Sequence, residues 1–301
     1  MRVHFRAALI AVVVSAIGVL APLRAAAQVP TFSVEGVVTD EQQATLPGVT
    51  VTIKSLATGL TRTVVTEASG RYAFAALPPG RYELQVELTG FATQLRNDLS
   101  FNAGQRAVLN VQMKLSTLQE TITVAGSAPL IQTTSSEVSS TIGQAAFETL
   151  PVTQRNYMRL LSLDSNVVQS RPGTNAVNVG GGEVWNFGTY VDGTSNFSKW
   201  LTLQRAPQQG SGGFALETVK EVQLITNQFS VEFGGHSAGV ASMITKSGTN
   251  SIAGSLFLML RPGELDARPP LARVDVPYNQ QQLGGVLGGP LVKDKLFYFG
   301  S

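Results

Sequence analysis

The feature that most constrains this chain is a repeating alternation of apolar and polar residues, cut at short intervals by glycine and proline. Between Thr31 and Leu115, Phe32, Val34, Gly36 and Val38 alternate with polar or smaller residues, and Val49, Val51 and Ile53 alternate with Thr50, Thr52 and Lys54. Tyr72 and Phe74, then Tyr82, Leu84 and Val86, then Leu109, Val111, Met113 and Leu115 repeat the period. Successive side chains of a strand point to opposite faces, so each run has one face to bury. Leu46-Pro47-Gly48, Ser69-Gly70 and Pro78-Pro79-Gly80 supply turn residues between the runs. About seven short strands at this spacing predict a small β-sandwich that folds alone.

The same period returns between Glu217 and Asn250. Val222 and Leu224 fall on one face and Glu221, Gln223 and Ile225 on the other; farther on, Val240, Ser242 and Ile244 alternate with Ala241, Met243 and Thr245. Phe233-Gly234-Gly235 lies between, so two strands joined through a glycine loop are expected. Thirty glycines and a charged fraction of only 14% fit extended, turn-rich structure, since glycine inside a helix costs about 1 kcal/mol relative to alanine.

The first 27 residues read as a secretory signal peptide. Arg2 and Arg6 precede an uncharged apolar run from Ala7 to Ala21, and Ala25-Ala26-Ala27 before Gln28 places cleavage between Ala27 and Gln28. A membrane anchor is the rival, but the run is shorter than the roughly 20 residues that span a bilayer. Cleavage removes three of the 22 basic residues and none of the 20 acidic ones, leaving 19 against 20 and a net charge of −1. Nucleic acid binding thereby loses its electrostatic basis. With no cysteine in the chain, disulfides, thiolate zinc sites and cysteine nucleophiles are excluded.

Val34-Glu35-Gly36-Val37-Val38, Leu46-Pro47-Gly48-Val49-Thr50-Val51, Gly70-Arg71-Tyr72-Ala73-Phe74, Leu77-Pro78-Pro79-Gly80-Arg81-Tyr82 and Gly90-Phe91 resemble the carboxypeptidase regulatory-like domain, a transthyretin-like sandwich. That domain is accessory and non-catalytic. A zinc carboxypeptidase needs histidine and carboxylate ligands, and the chain has only His4, within the signal peptide, and His236.

From Ser116 to Ser136 the sequence turns to Ser, Thr and Gln, as in a linker. Inside it, Glu120, Thr121, Ile122, Thr123 and Val124 have two readings. They form one more edge strand of the sandwich, or an extended peptide that adds to a partner's sheet edge through main-chain hydrogen bonds. Thr141 to Val168 carries the best helical signals, with Phe147 and Leu150 before Pro151 and with Tyr157, Leu160 and Leu161 on one face beside Arg155 and Arg159. Ser170 to Glu183 and Gln208 to Gly213 are glycine-rich and read as loops; neither has the Lys-Ser/Thr or strand-to-helix setting of a phosphate cradle. Trp185, Phe187 and Tyr190 lead into Val191-Asp192-Gly193, where Asp192 reads as a turn former. His236 has no second histidine and no nucleophile beside it, and reads as a polar loop residue.

In order, Leu150-Pro151 with Arg155 and Leu160-Leu161, Tyr190-Val191-Asp192-Gly193, and Glu217 through Lys246-Ser247-Gly248-Thr249-Asn250 resemble the plug domain of TonB-dependent outer-membrane receptors, of the Oar-like subgroup that carries a regulatory-like sandwich in front. The resemblance implies a mainly β chain. It would hold a signal peptide (1–27), a transthyretin-like β-sandwich (28–115), a linker with a TonB-box-like segment (116–136), a small α+β plug (137–250) and the first strands of an incomplete transmembrane β-barrel (251–301). It implies that Glu120 to Val124 pairs with TonB, the inner-membrane energy-transducing protein. It also implies that the barrel meets outer-membrane lipid, that the sandwich is periplasmic, and that the substrate is an oligosaccharide, peptide or chelate. No cofactor, metal site or catalytic residue is expected.

Ile252 to Leu260 is about one membrane strand long, given the roughly 9–11 residues such strands need. Gln281 to Gly288, a turn at Gly289-Pro290, and Leu296 to Phe299 supply the next hairpin, with Leu283, Phe297, Tyr298 and Phe299 toward lipid; the proline-rich Gly263 to Pro277 forms a loop. Two or three strands close no barrel, since single-chain barrels begin at about eight. The chain therefore reads as the front part of a longer protein or as a truncated product that does not transport, and its end at Phe299-Gly300-Ser301, within an apparent strand, favours the first. The competing expectation is a secreted or periplasmic carbohydrate- or protein-binding adhesion module.

Overall fold

The computed structural model describes residues 31–116, 121–125, 137–150, 156–170, 176–198, 203–204, 215–263 and 279–301. Alternation is converted directly into burial in β1 (Phe32–Thr39), where every second side chain is inside, and nearly so in β2 (Thr50–Ser55). Then follow β3 (Thr61–Val65), β4 (Arg71–Leu77), β5 (Gly80–Glu87), β6 (Thr93–Phe101), β7 (Arg106–Val108), β8 (Val111–Gln112) and β9 (Thr121–Ala125). One sheet has the order β3-β2-β5-β6-β9; the facing sheet has β4-β1-β7, with β8 also beside β1.

Phe32 fixes the middle of the sandwich, stacked on Phe101 at 4.4 Å and edge-on to Tyr82 at 5.1 Å. Of Leu109 to Leu115, expected as one strand, only Val111–Gln112 (β8) is strand; β7 ends at Val108. The Leu109 carbonyl accepts from the buried Tyr72 hydroxyl at 2.6 Å, while the Asn110 side chain accepts from the Val37 amide. The Leu109 carbonyl is thus taken by a buried side-chain donor and the Val37 amide by a side chain, at the point where the strand is interrupted.

The middle of the chain is a second layered unit. It begins with β10 (Val138–Gly143), helix α1 (Gln144–Thr149) and a 3-10 helix, Tyr157–Leu163, capped by Asn156, whose side chain accepts from the Met158 amide. β11 (Val167–Gln169) and β12 (Val177–Val179) form a hairpin, then come β13 (Phe187–Val191), β14 (Thr194–Ser195) and the short pair β15 (Phe197–Ser198) and β16 (Leu203–Gln204). β17 (Val219–Asn227) and β18 (Gly239–Thr245) complete a sheet of order β10-β17-β18-β13-β14.

Val222 and Leu224 from β17, Ala241 and Met243 from β18, and Phe147, Met158 and Leu161 from the helices share one core. The helical expectation over Thr141 to Val168 is corrected at both ends: Thr141 lies in β10, whose main chain pairs with β17, and Val167 and Val168 lie in β11, which pairs with β12. The loop expected over Ser170 to Glu183 holds β12. Pro151, Arg155 and Gln208 to Gly213 lie outside the described residues.

The chain then enters a meander of β19 (Ala253–Arg261), β20 (Gln280–Val292) and β21 (Leu296–Gly300). Gly289-Pro290 is not the turn. β20 runs through it, and the turn is Lys293-Asp294-Lys295. Pro290 is tolerated because β19 pairs with β20 only as far as Gly288, so the missing N–H interrupts no ladder on that side.

Candidate functional site

Of the segment expected to pair with a partner, Glu120 lies outside the described residues, as do Ala27 and Gln28. Thr121 to Val124 form β9 together with Ala125. β9 runs parallel to β6, with Thr93 opposite Thr121, Leu95 opposite Thr123 and Asn97 opposite Ala125. The edge-strand alternative therefore describes the backbone, and β9 is the last strand of its sheet.

The polar face of β17 explains itself in the structure. Glu221 is only 5% exposed and Gln223 only 4%, which requires a cover, and the sandwich provides it. The Ala103 amide donates to Glu221 Oε1 at 3.0 Å, and Lys220 Nζ donates to the Pro79 carbonyl. A side chain at Gly104 would meet the Gln223 amide at 2.6 Å, so glycine permits this close seating. Burial pushes the Glu221 carboxyl above its usual range, against the pull of the Ala103 N–H and of Lys220. Burial likewise lowers the Lys220 ammonium, with Glu221 opposing. Beside this junction is a crevice of about 630 Å³ lined by Phe32, Arg106, Tyr190, Gln223, Ile225 and Phe233.

Asp192 is the turn former its sequence suggests: with φ 47° it sits beside Gly193 between β13 and β14. Its carboxylate also accepts from the Thr245 amide and hydroxyl, at 2.9 and 2.8 Å, tying this turn to the end of β18. His236 packs edge-on to Tyr190 at 6.0 Å and against Gly188, and burial lowers its pKa. Among the described residues no group of three or more His, Cys, Asp or Glu side chains is placed to hold a metal.

β19 and β20 are paired over the length of β19. Residues directly opposite share a face, so Leu256, Leu258 and Leu260 stand with Leu283 and Leu287. Leu256 is 88% exposed and Leu283 80%. Such a row is a liability in water and suits lipid. The other face, with Ser255, Phe257, Gln282 and Gly284, is mixed, and the Phe257 ring covers Gly284, where a Cβ would come within 2.6 Å. Asn250 is locked to the β20–β21 turn: its side chain donates to Asp294 Oδ1 at 2.7 Å and accepts from the Asp294 amide at 2.9 Å, while its own amide donates to the Ala57 carbonyl of the sandwich.

A carboxypeptidase regulatory-like domain model matches residues 33–114 and an outer membrane beta barrel domain model matches residues 244–301. The TonB-dependent transporter Oar of Myxococcus xanthus is 29% identical over 254 residues, which cover 79% of this chain and 23% of that protein. The chain is similar over most of its length to an Oar-type TonB-dependent transporter. It spans less than a quarter of that relative's length. Among solved structures, the siderophore receptor PirA of Acinetobacter baumannii is 21% identical, covers 54% of this chain and 23% of its own, and superposes with a TM-score of 0.38. The Bacillus anthracis TIE protein, at 17% identity, covers 29% of this chain and 17% of its own with a TM-score of 0.25; scores this low establish no common fold.

Lys220, Glu221 and Asp294 were not singled out as site residues from the sequence. Glu221 left a signal, a charged residue beside Gln223 on the second face of a strand whose first face is apolar at Val222 and Leu224, whereas Asp294 left only a turn composition.

Proposed function

We propose that this chain is the N-terminal portion of an energy-coupled outer-membrane receptor, in which residues 137–250 are a plug gating substrate passage through a barrel wall that begins at β19. The observation that carries the reading is the exposed leucine face of β19 and β20, which follow β18 directly in the chain. It is supported by the similarity to a transporter over most of the chain. The chain is no enzyme; its curated relative is a transporter.

Membrane barrels have short periplasmic turns and longer external loops. β20 and β21 join through Lys293–Lys295, whereas β19 and β20 join through residues 262–279. The short turn contacts Asn250, which contacts the sandwich, and this supports a periplasmic place for the sandwich. Export there uses the signal peptide, cut between Ala27 and Gln28. Glu120 to Val124 then meet TonB by strand addition, and a pull transmitted through the linker shifts the plug.

Deleting Glu120–Val124 from the full-length protein is expected to abolish capture by the periplasmic domain of TonB, and with it uptake. The heat-modifiable gel mobility of a folded outer-membrane barrel should persist. Undiminished capture by the deletion variant would refute the coupling role.

A further inference from the structure

The sandwich does more in this structure than precede the plug: it holds the segment assigned to the partner. We infer that the edge of β6 is a strand-accepting surface whose resident ligand is the chain's own Thr121–Ala125, and that TonB gains this segment only by competing with β6. The inference rests on the reading of Glu120–Val124 as the coupling segment.

Three observations carry it. First, the pairing is specific: five consecutive residues of β9 are in parallel register with Thr93–Asn97. Main-chain donors and acceptors on the side of β9 facing β6 are therefore occupied, and these are the groups through which an extended peptide joins a partner's sheet. Second, the sandwich domain ends before β9. The matching domain model stops at residue 114, and strands β1 to β8 already build a shared core that includes Phe32, Leu99 and Met113. β9 is an addition to a finished domain, joined by a single ladder at the sheet edge. Third, the fit is imperfect. Asn97, at the end of the ladder opposite Ala125, keeps its side-chain oxygen buried without a hydrogen-bond partner, and buried polar groups in settled structure are nearly always paired. Parallel ladders are also the weaker kind per residue. Together these describe a strand that is held in register yet can leave without unfolding its host.

The chain contains no cysteine, so engineered thiols report without background. Leu95→Cys with Thr123→Cys places thiols on directly opposed residues, within the Cα separation a disulfide requires. Thr63→Cys with Thr123→Cys puts them on the two outer strands of the same sheet, about 19 Å apart, and is the control. In the full-length protein, the first pair is expected to oxidise rapidly and the control not at all. Binding of the periplasmic domain of TonB to the oxidised form should weaken at least about tenfold and recover with reductant, because apparent affinity scales with the fraction of released segment.

Amide exchange supplies a readout independent of the partner. Without the cross-link, Thr121–Ala125 should exchange faster than β2 and β5 of the same sheet, and oxidation should slow them to that level. Failure to cross-link above the control, or unchanged TonB binding when oxidised, would overturn the inference. Rapid cross-linking with slowed exchange, but no TonB binding in either redox state, would uphold the pairing and overturn the coupling assignment instead.

Discussion

Replacing Glu221 by alanine and by glutamine separates two contributions to the seating of the sandwich on the sheet that holds β17. Alanine removes the acceptor of the Ala103 amide, a buried bond of 3.0 Å. An orphaned buried donor costs about 1–3 kcal/mol, which at about 1.4 kcal/mol per factor of ten is a roughly 5- to 150-fold loss of protection at Ala103. Glutamine keeps an acceptor and discards the charge. Burial raises the Glu221 pKa despite Ala103 and Lys220, so the docked state disfavours the ionised form. The sign follows: a raised docked pKa makes docking strongest below the undocked value of about 4.3 and weakens it as pH rises through the raised one.

Amide exchange of residues 102–105, normalised for intrinsic rates between about pH 4 and about pH 8, should therefore show protection falling toward neutrality in the unsubstituted protein. Glu221→Gln should give a flat profile, with protection at neutral pH no lower than that of the unsubstituted protein. Unchanged protection in Glu221→Ala would refute the bond as an anchor. A Glu221→Gln variant as weakened as Glu221→Ala would refute the desolvation account, and would mean that the charge, facing Lys220, holds the junction.

Tyr72→Phe deletes the hydroxyl that donates to the buried Leu109 carbonyl, and should destabilise the sandwich by about 1–2 kcal/mol; chemical denaturation followed by sandwich amide exchange checks this, and no change would mean that the carbonyl finds another donor. Leu256→Arg should cost about 2–4 kcal/mol in folding of the full-length protein into lipid vesicles, read by the heat-modifiable gel shift, while Ser255→Arg on the opposite face should be tolerated. Equal effects at both positions would contradict the assignment of the leucine face to lipid.

What could be read from the sequence was whatever one strand decides for itself. β1, β2 and β5 announce themselves because half of each is apolar at period two and goes to a core those same residues build. β3 and β10 do not. Almost all of β3 is exposed and only Ile142 of β10 is buried, so both owe their conformation to a neighbour's main chain, which leaves no side-chain signature. Gly289-Pro290 misleads for a related reason: its turn chemistry is overridden where the adjoining strand stops short. At the candidate site, the split of β17 into an apolar and a polar face was legible, but the surface covering the polar face comes from Ala103 and Gly104, more than a hundred residues away. The pairing of Thr121–Ala125 with β6 was one of two open readings, since a short β-prone segment carries no mark of which edge it will choose.

The direction of β9 has a mechanical meaning. A ladder pulled along its strand axis shares the load among all its hydrogen bonds at once, whereas one pulled out of the sheet opens bond by bond from its end. Because β9 runs parallel to β6 at the rim of the sheet, a tug in line with the strand drags the whole sandwich, and a tug away from the rim peels the peptide free at far smaller force. The angle of approach, more than the strength of the pull, sets whether the sandwich follows the peptide or lets it go.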